Sequence, residues 1–228
     1  MFRLPEYKPP LSYRMDLRER LTSAYLRHLL LHGTEPPSVF AFCESNGVSE
    51  SDFYKEFSSF SHLESDYWTK WANDIIWTAA SGSEYAGFTA RQKFLTFGYV
   101  FFEQALDRRS LLLLRFGSLT PWCRPPWLAG FETRTKEHIR ELIEAGIVSS
   151  EVASRGRLRS LYPDGLYLVF RGAVQYHLRD TSPGFERTDA FWEKSVQFAF
   201  DLMKSGAVDS AVDLARFLLP TVAGKATA

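Results

Sequence analysis

Neither sign of charge is in excess in this sequence. Lys plus Arg and Asp plus Glu both number 27, so no global field draws the chain toward nucleic acid or an anionic membrane, and any such attraction has to be local. Cysteine is scarce: Cys43 and Cys123 lie far apart and form no C-x-x-C pair. That excludes a disulfide framework and a thiolate metal centre, and fits a reducing, cytoplasmic compartment. No uncharged run reaches the roughly 18 residues of a membrane span, and Met1 to Pro10 lacks the apolar core of a secretory signal. Motifs for chemistry are missing as well. There is no Gly-x-Ser-x-Gly, no phosphate-binding loop and no His/Glu zinc motif, so no catalytic residue, metal or cofactor is expected. Sustained period-two alternation is also absent, which argues against strands and for an all-α fold.

What is plentiful is aromatic surface: 19 Phe, 10 Tyr and 6 Trp, more than an ordinary helical core of this size requires. Apolar residues at helical spacing predict a first helix over Leu17 to His32, stopped by Gly33. Ser38 is placed to cap a short second helix ending at Asn46-Gly47, and Ser49 to cap a third carrying Phe53, Tyr54 and Phe57. Ser61 and Glu64 read as a capping box opening a long fourth helix toward Ala80. Two short helices about a glycine turn suggest helix-turn-helix. Buried helices follow through Phe94 to Ala105 and Leu111 to Phe116. The proline-rich stretch Thr120 to Trp127 predicts a rigid loop displaying two indoles. Further helices are expected over Leu128 to Glu144 (stopped by Gly146), from Leu158 or Pro163 to Leu178, over Thr188 to Lys204 (stopped by Gly206), and over Ser210 to Leu219.

The stretch Ser38 to Phe57 resembles the signature of the TetR family. Phe42-Cys43 stands for its buried apolar-small pair, Gly47-Val48-Ser49 for its turn, and Tyr54-Lys55-Glu56-Phe57 for its aromatic end. The resemblance implies an N-terminal helix-turn-helix domain of three helices over residues 1–66 and a larger helical ligand-binding and dimerisation domain over 67–228. It further implies a homodimer joined through Leu166 to Leu178 and Phe191 to Met203. As a repressor of that family, the chain would touch operator DNA through Ser38, Ser49, Ser51, Tyr54 and Lys55. The charges disagree with that role. Between Pro36 and Asp66 six acids stand against the single base Lys55, and Phe60 stands where the family usually has a lysine and Phe40 where it usually has a basic or polar residue. Phosphate neutralisation supplies most nonspecific affinity, so this surface is expected to repel DNA. Arg14, Arg18 and Arg20 restore only part of it.

A second stretch, Asp180 to Val196, is similar to the Ser-Pro-x-Phe-Glu-x-Thr segment of the lipid-binding accessory family of mitochondrial ubiquinone biosynthesis, which shares the TetR fold. What it implies is an isoprenoid or other lipid in the large domain, a partner enzyme docked near Asp180, Ser182, Pro183, Phe185 and Glu186, and peripheral contact of the last helix with the inner membrane face. The tryptophan expected after the threonine is Asp189 here, so docking through that residue does not carry over. Phe94, Phe97, Phe101, Phe116, Trp122, Trp127, Tyr167 and Phe170 are candidate ligand contacts, because apolar sites are lined by such rings. Each ring taken singly reads better as core, and it is their number in one domain that favours a pocket. His28 and His32 lie one turn apart without a third ligand and read as ordinary histidines, and Cys43 as an inert core thiol.

Overall fold

A computed structural model describes residues 16–120 and 122–204. Among the described residues every regular element is helical: α1 (Leu17–His32), α2 (Val39–Asn46), α3 (Glu50–Glu56), α4 (Phe60–Ala80), α5 (Ala90–Asp107), α6 (Arg109–Phe116), α7 (Ala129–Val148), α8 (Tyr162–Arg179) and α9 (Glu186–Lys204). Arg14, the stop at Gly206 and the expected helix Ser210 to Leu219 lie outside the described residues.

The short N-terminal helices stand because their ends are satisfied. The Ser38 hydroxyl accepts from the amide of Ala41 and the Ser49 hydroxyl from that of Asp52, each at 3.1 Å. Such caps contribute about 1 kcal/mol each. Gly33 and Gly47 close α1 and α2 with φ of 73° and 62°, left-handed values that a side chain disfavours. Further along, the Glu151 carboxylate accepts from the amides of Ala90 and Arg91 at 2.7 and 3.0 Å, so a residue 60 positions away caps α5.

Four expectations are corrected. The fourth helix is capped by Ser59, whose hydroxyl accepts from the amide of His62, and not by Ser61. The reason is burial: starting at Phe60 places Phe60, Leu63 and Glu64 together on the inner face. Glu64 therefore completes no capping box. Gly146 does not stop α7, which runs on to Val148. A Cβ there would press on Val152 and Ala90, so its glycine serves close packing. The proline-rich loop displays one indole rather than two: Trp122 is 73 % exposed, whereas Trp127 is buried against Trp68 and Phe116 with ring centroids at 5.9 and 5.4 Å.

Around the N-terminal helices, Phe60 fills the centre. It stacks on Tyr25 at 5.2 Å and meets Phe42 and Phe53 at 5.4 and 5.6 Å. α4 then runs unbroken from this cluster into the larger helical body, where it packs against α5 and α7, and α8 packs against α7 and α9. Gly130 on α7 makes the α4–α7 approach, with Thr69 and Ser65 standing where its Cβ would be. Gly98 on α5 does the same for the Trp192 ring of α9.

Candidate functional site

Two regions carry candidate residues: the outer face of α3 and the interior of the larger body. On α3, Glu50, Ser51, Tyr54 and Lys55 are exposed, as are the capping residues Ser38 and Ser49. The Lys55 ammonium sits 2.7 Å from Asp52 on its own helix, and the Ser49 hydroxyl donates to the same carboxylate at 2.8 Å. The hydrogen bond from Lys55, with that from Ser49, holds the Asp52 carboxyl below the usual range, and Asp52 in turn raises Lys55. Arg18 is occupied in the same way. Its guanidinium bonds Asp66 at 3.0 Å and Glu56 at 3.4 Å and lies 4.4 Å over the Phe57 ring. Arg20 reaches the carbonyl of Asn46 at 3.5 Å.

The six acids counted between Pro36 and Asp66 do not all face the same way. Glu64 is buried, and Asp66 pairs with Arg18 and Lys70. That leaves Glu44, Glu50, Asp52 and Glu56 around α2 and α3, against Lys55 and the Arg18 that Glu56 shares with Asp66. Phe60 is core, while Phe40 is exposed on α2.

In the larger body, Phe94, Phe97, Phe101, Phe116, Trp127, Tyr167 and Phe170 are all buried. Phe170 is the hub, with Phe101 at 4.9 Å and Phe97 at 5.2 Å, and Phe94 continues the series to Trp192 at 5.0 Å. Trp122 lies apart from this group, on the surface. The rings share their interior with polar atoms that complete no hydrogen bond: Thr135 Oγ1, both His138 ring nitrogens, of which Nδ1 lies 3.6 Å from the Glu141 carboxylate, Tyr167 Oη, Arg171 Nε, Gln175 Oε1 and His177 Nδ1. Burial pushes the Tyr167 phenol up to about 12 against the pull of Arg171. Burial, with the neighbouring Arg109, pushes His177 down to about 4.

The Asp180 to Glu186 segment has an internal task. The Asp180 carboxylate is buried and accepts from the amide and hydroxyl of Ser182 at 2.8 and 2.7 Å and from those of Thr188 at 2.9 and 2.7 Å. Burial opposes its ionisation, but those four donors outweigh it and hold the carboxyl far below the usual range. The Phe185 ring lies under Arg109 at 4.6 Å, which leaves Pro183 and Glu186 as the exposed ones among the five candidate partner contacts.

Residues 93–218, more than half of the chain, match the family described as tetracyclin repressor-like, C-terminal domain. The chain belongs to that family. Solved structures of similar shape agree at the level of fold. A proposed TetR-family transcriptional regulator from Syntrophomonas wolfei aligns with a TM-score of 0.61 at 15% identity, covering 82% of this chain and 95% of that one. A protein of unknown function from Rhodococcus sp. RHA1 aligns with a TM-score of 0.57 at 15% identity, covering 86% and 100%. A TetR family transcription regulator from Marinobacter aquaeolei VT8 aligns with a TM-score of 0.50 at 19% identity, covering 81% and 93%. No curated protein matches the chain.

This TetR-like chain holds functional candidates that sequence reasoning passed over. Arg171, Gln175 and His177 lie in a stretch of α8 read as dimer helix, and His138 lies in α7. A signal was there: Tyr167, Arg171 and Gln175 recur every fourth residue, a polar stripe in an otherwise apolar helix. Glu64 was visible but misplaced. Its carboxylate accepts from the Tyr25 hydroxyl at 3.1 Å, the Trp68 indole at 3.0 Å and Arg115 Nε at 2.7 Å. Among the described residues no group of three or more potential metal ligands forms, and no helix is long and apolar enough to cross a membrane.

Proposed function

We propose that this TetR-like chain works as a homodimer that binds an apolar, lipid-like or aromatic small molecule in residues 67–228, with a helix-turn-helix unit over 1–66 that has weak affinity for DNA. The chain acts by binding and not by catalysis. The observation carrying the DNA half is the state of the bases: Lys55 is paired to Asp52 within α3, and Arg18 is held by Asp66 and Glu56. A phosphate would have to displace an intramolecular carboxylate to reach either cation, so counterion release, the main source of nonspecific affinity, is small.

The dimer half rests on an outward face of α8 and α9 that a lone chain leaves wet. Phe198 is 65 % exposed and Leu161 58 %, and Tyr176 stacks on Phe191 at 4.5 Å on the surface. Leu161 and Phe198 border a groove of about 250 Å³ that Gly165, Val169, Ala199 and Leu202 also line. Apolar stripes of this kind on paired helices suit a two-fold partner. The ligand half rests on the buried rings and on the unpartnered polar atoms among them. The exposed Pro183 and Glu186 are the surface left for a partner enzyme.

Native mass spectrometry of the purified protein tests this reading, with a two-chain mass carrying a small apolar molecule as the expected result. A monomer without any bound molecule would sink it. A second reading, a ligand-responsive repressor, is favoured by the exposure of Ser51 and Tyr54 on a well-capped α3. It requires an operator, which selection from genomic fragments would enrich.

A further inference from the structure

Arg171 sits in the middle of α8 with 1 % of its surface exposed, and its guanidinium pairs with no carboxylate among the described residues. Its partners are neutral. Nη1 and Nη2 each donate to the carbonyl of Cys123 at 3.3 Å, Nη2 also donates to that of Thr120 at 3.2 Å, and Nε has no partner. Glu132, whose charge is felt at Tyr167, does not discharge Arg171: it is held by Lys136 at 2.6 Å and Arg124 at 3.4 Å.

The neighbours on the same stripe of α8 are unsatisfied too. One turn before Arg171, the Tyr167 hydroxyl is buried beside the guanidinium, close enough to feel its charge, and completes no well-aligned hydrogen bond. One turn after, Gln175 donates from Nε2 to the carbonyl of Phe116 at 2.7 Å while its Oε1 is left over. The rings of Phe116 and Tyr167 lie 5.8 and 6.0 Å from the guanidinium carbon. Removing a full charge from water is costly, and neutral carbonyls return less of that cost than an anion does. A planar guanidinium with a free Nε is the geometry that a carboxylate occupies with two parallel hydrogen bonds.

We propose that Arg171 anchors the carboxylate of an amphiphilic ligand, an organic acid whose apolar body lies among Phe116, Tyr167 and Phe170, with the Tyr167 hydroxyl as a second donor. This rests on the ligand-binding reading above and names the head group of that ligand. The carboxylate competes with the carbonyls of Thr120 and Cys123 for the guanidinium, so binding loosens the Trp122 segment from α8.

The test is calorimetric titration of the full chain with oleate and with oleyl alcohol, which has the same chain and no charge. The wild type is expected to bind oleate at least about tenfold more tightly, the worth of a charge-assisted pair. Arg171→Met removes that preference by weakening oleate far more than the alcohol, and Arg171→Lys keeps part of the preference. Equal affinity of the wild type for both probes, which needs no variant, overturns the anchor and leaves the apolar-ligand reading standing. Equal loss of both probes in Arg171→Met shows a loop anchor only and overturns it as well. Failure of oleate to bind the wild type also overturns it, and the ligand reading is then decided separately by the native mass spectrum.

Discussion

The Arg115 side chain of α6 closes on the carboxylate of Glu64 in α4, which is fully buried, and thereby ties the helix-turn-helix unit to the larger body. Tyr25 of α1 donates to the same carboxylate, Glu35 pairs with Arg115 at 3.0 Å, and the guanidinium lies 5.0 Å over the Trp127 ring. Burial opposes the charge on Arg115, but its hydrogen bond to Glu64, the charge of that carboxylate and the bond to Glu35 together outweigh it and raise the guanidinium further; burial and Glu64 together raise the Tyr25 phenol.

Breaking this pair from one side leaves the other charge buried. Glu64→Leu and Arg115→Met are each expected to cost about 3–5 kcal/mol in urea unfolding. The double variant recovers much of that loss, because no isolated ion remains. Additive losses in the double variant would show that the two side chains are not coupled.

Gly98 is a second single-site test. A Cβ there collides with the Trp192 ring, which is fully buried and whose indole donates to the carbonyl of Leu95 at 3.1 Å. Gly98→Ala should therefore lower stability by about 1–3 kcal/mol, even though alanine is the better helix former. A more stable Gly98→Ala protein would mean that α5 and α9 do not meet this closely.

The ends of α1, α2 and α3 were legible because each is decided within four residues: Ser38 and Ser49 at the starts, Gly33 and Gly47 at the stops. The all-helical class was legible from periodicity, and six of the seven buried candidate rings lie on the predicted helices. Glu64 was not legible. Its place depends on Arg115, 51 residues away, and a carboxylate one turn from Phe60 reads as solvated until that partner is known. Gly146 misled for a similar reason, since only the distant Val152 and Ala90 show that its missing side chain serves packing. Trp122 and Trp127 are five residues apart with like neighbours, and their opposite fates follow from α4, which offers Trp68 to only one of them.

His177 gives the pH dependence. It is pushed down to about 4 by burial and by Arg109, against an ordinary value near 6.5. The unfolded chain therefore takes up the proton first, and stability is lost as pH falls from about 6.5 toward 4, by about 3 kcal/mol from this group. His138, lowered by burial though Glu141 pulls the other way, adds to the same window. His177→Phe, which keeps a ring beside Phe102 and Phe185, should flatten the decline in melting temperature between pH 7 and 5. An unchanged slope would remove His177 from the account.

The proposed two-fold face predicts a change of mass. Val169→Glu with Phe198→Glu places carboxylates on the α8–α9 groove, and sedimentation should then show one chain where the wild type shows two. Phe198 is exposed and Val169 only partly buried at the edge of the core, so the helical circular dichroism signal is expected to persist. A wild-type protein that sediments as a single chain at micromolar concentration would leave this face without its partner.

The central claim concerns charge on α3, and a salt titration against random genomic DNA reaches it most directly. With Lys55 and Arg18 held by their own carboxylates, binding near 0.05 M salt should be weak, and the slope of log K against log salt shallow, on the order of one or two phosphates at about 0.9 each. Reversing Glu50 and Glu56 to lysine should raise the affinity and steepen the slope. Tight wild-type binding at ordinary ionic strength, falling steeply with added salt, would contradict the account and make the chain a DNA-binding repressor.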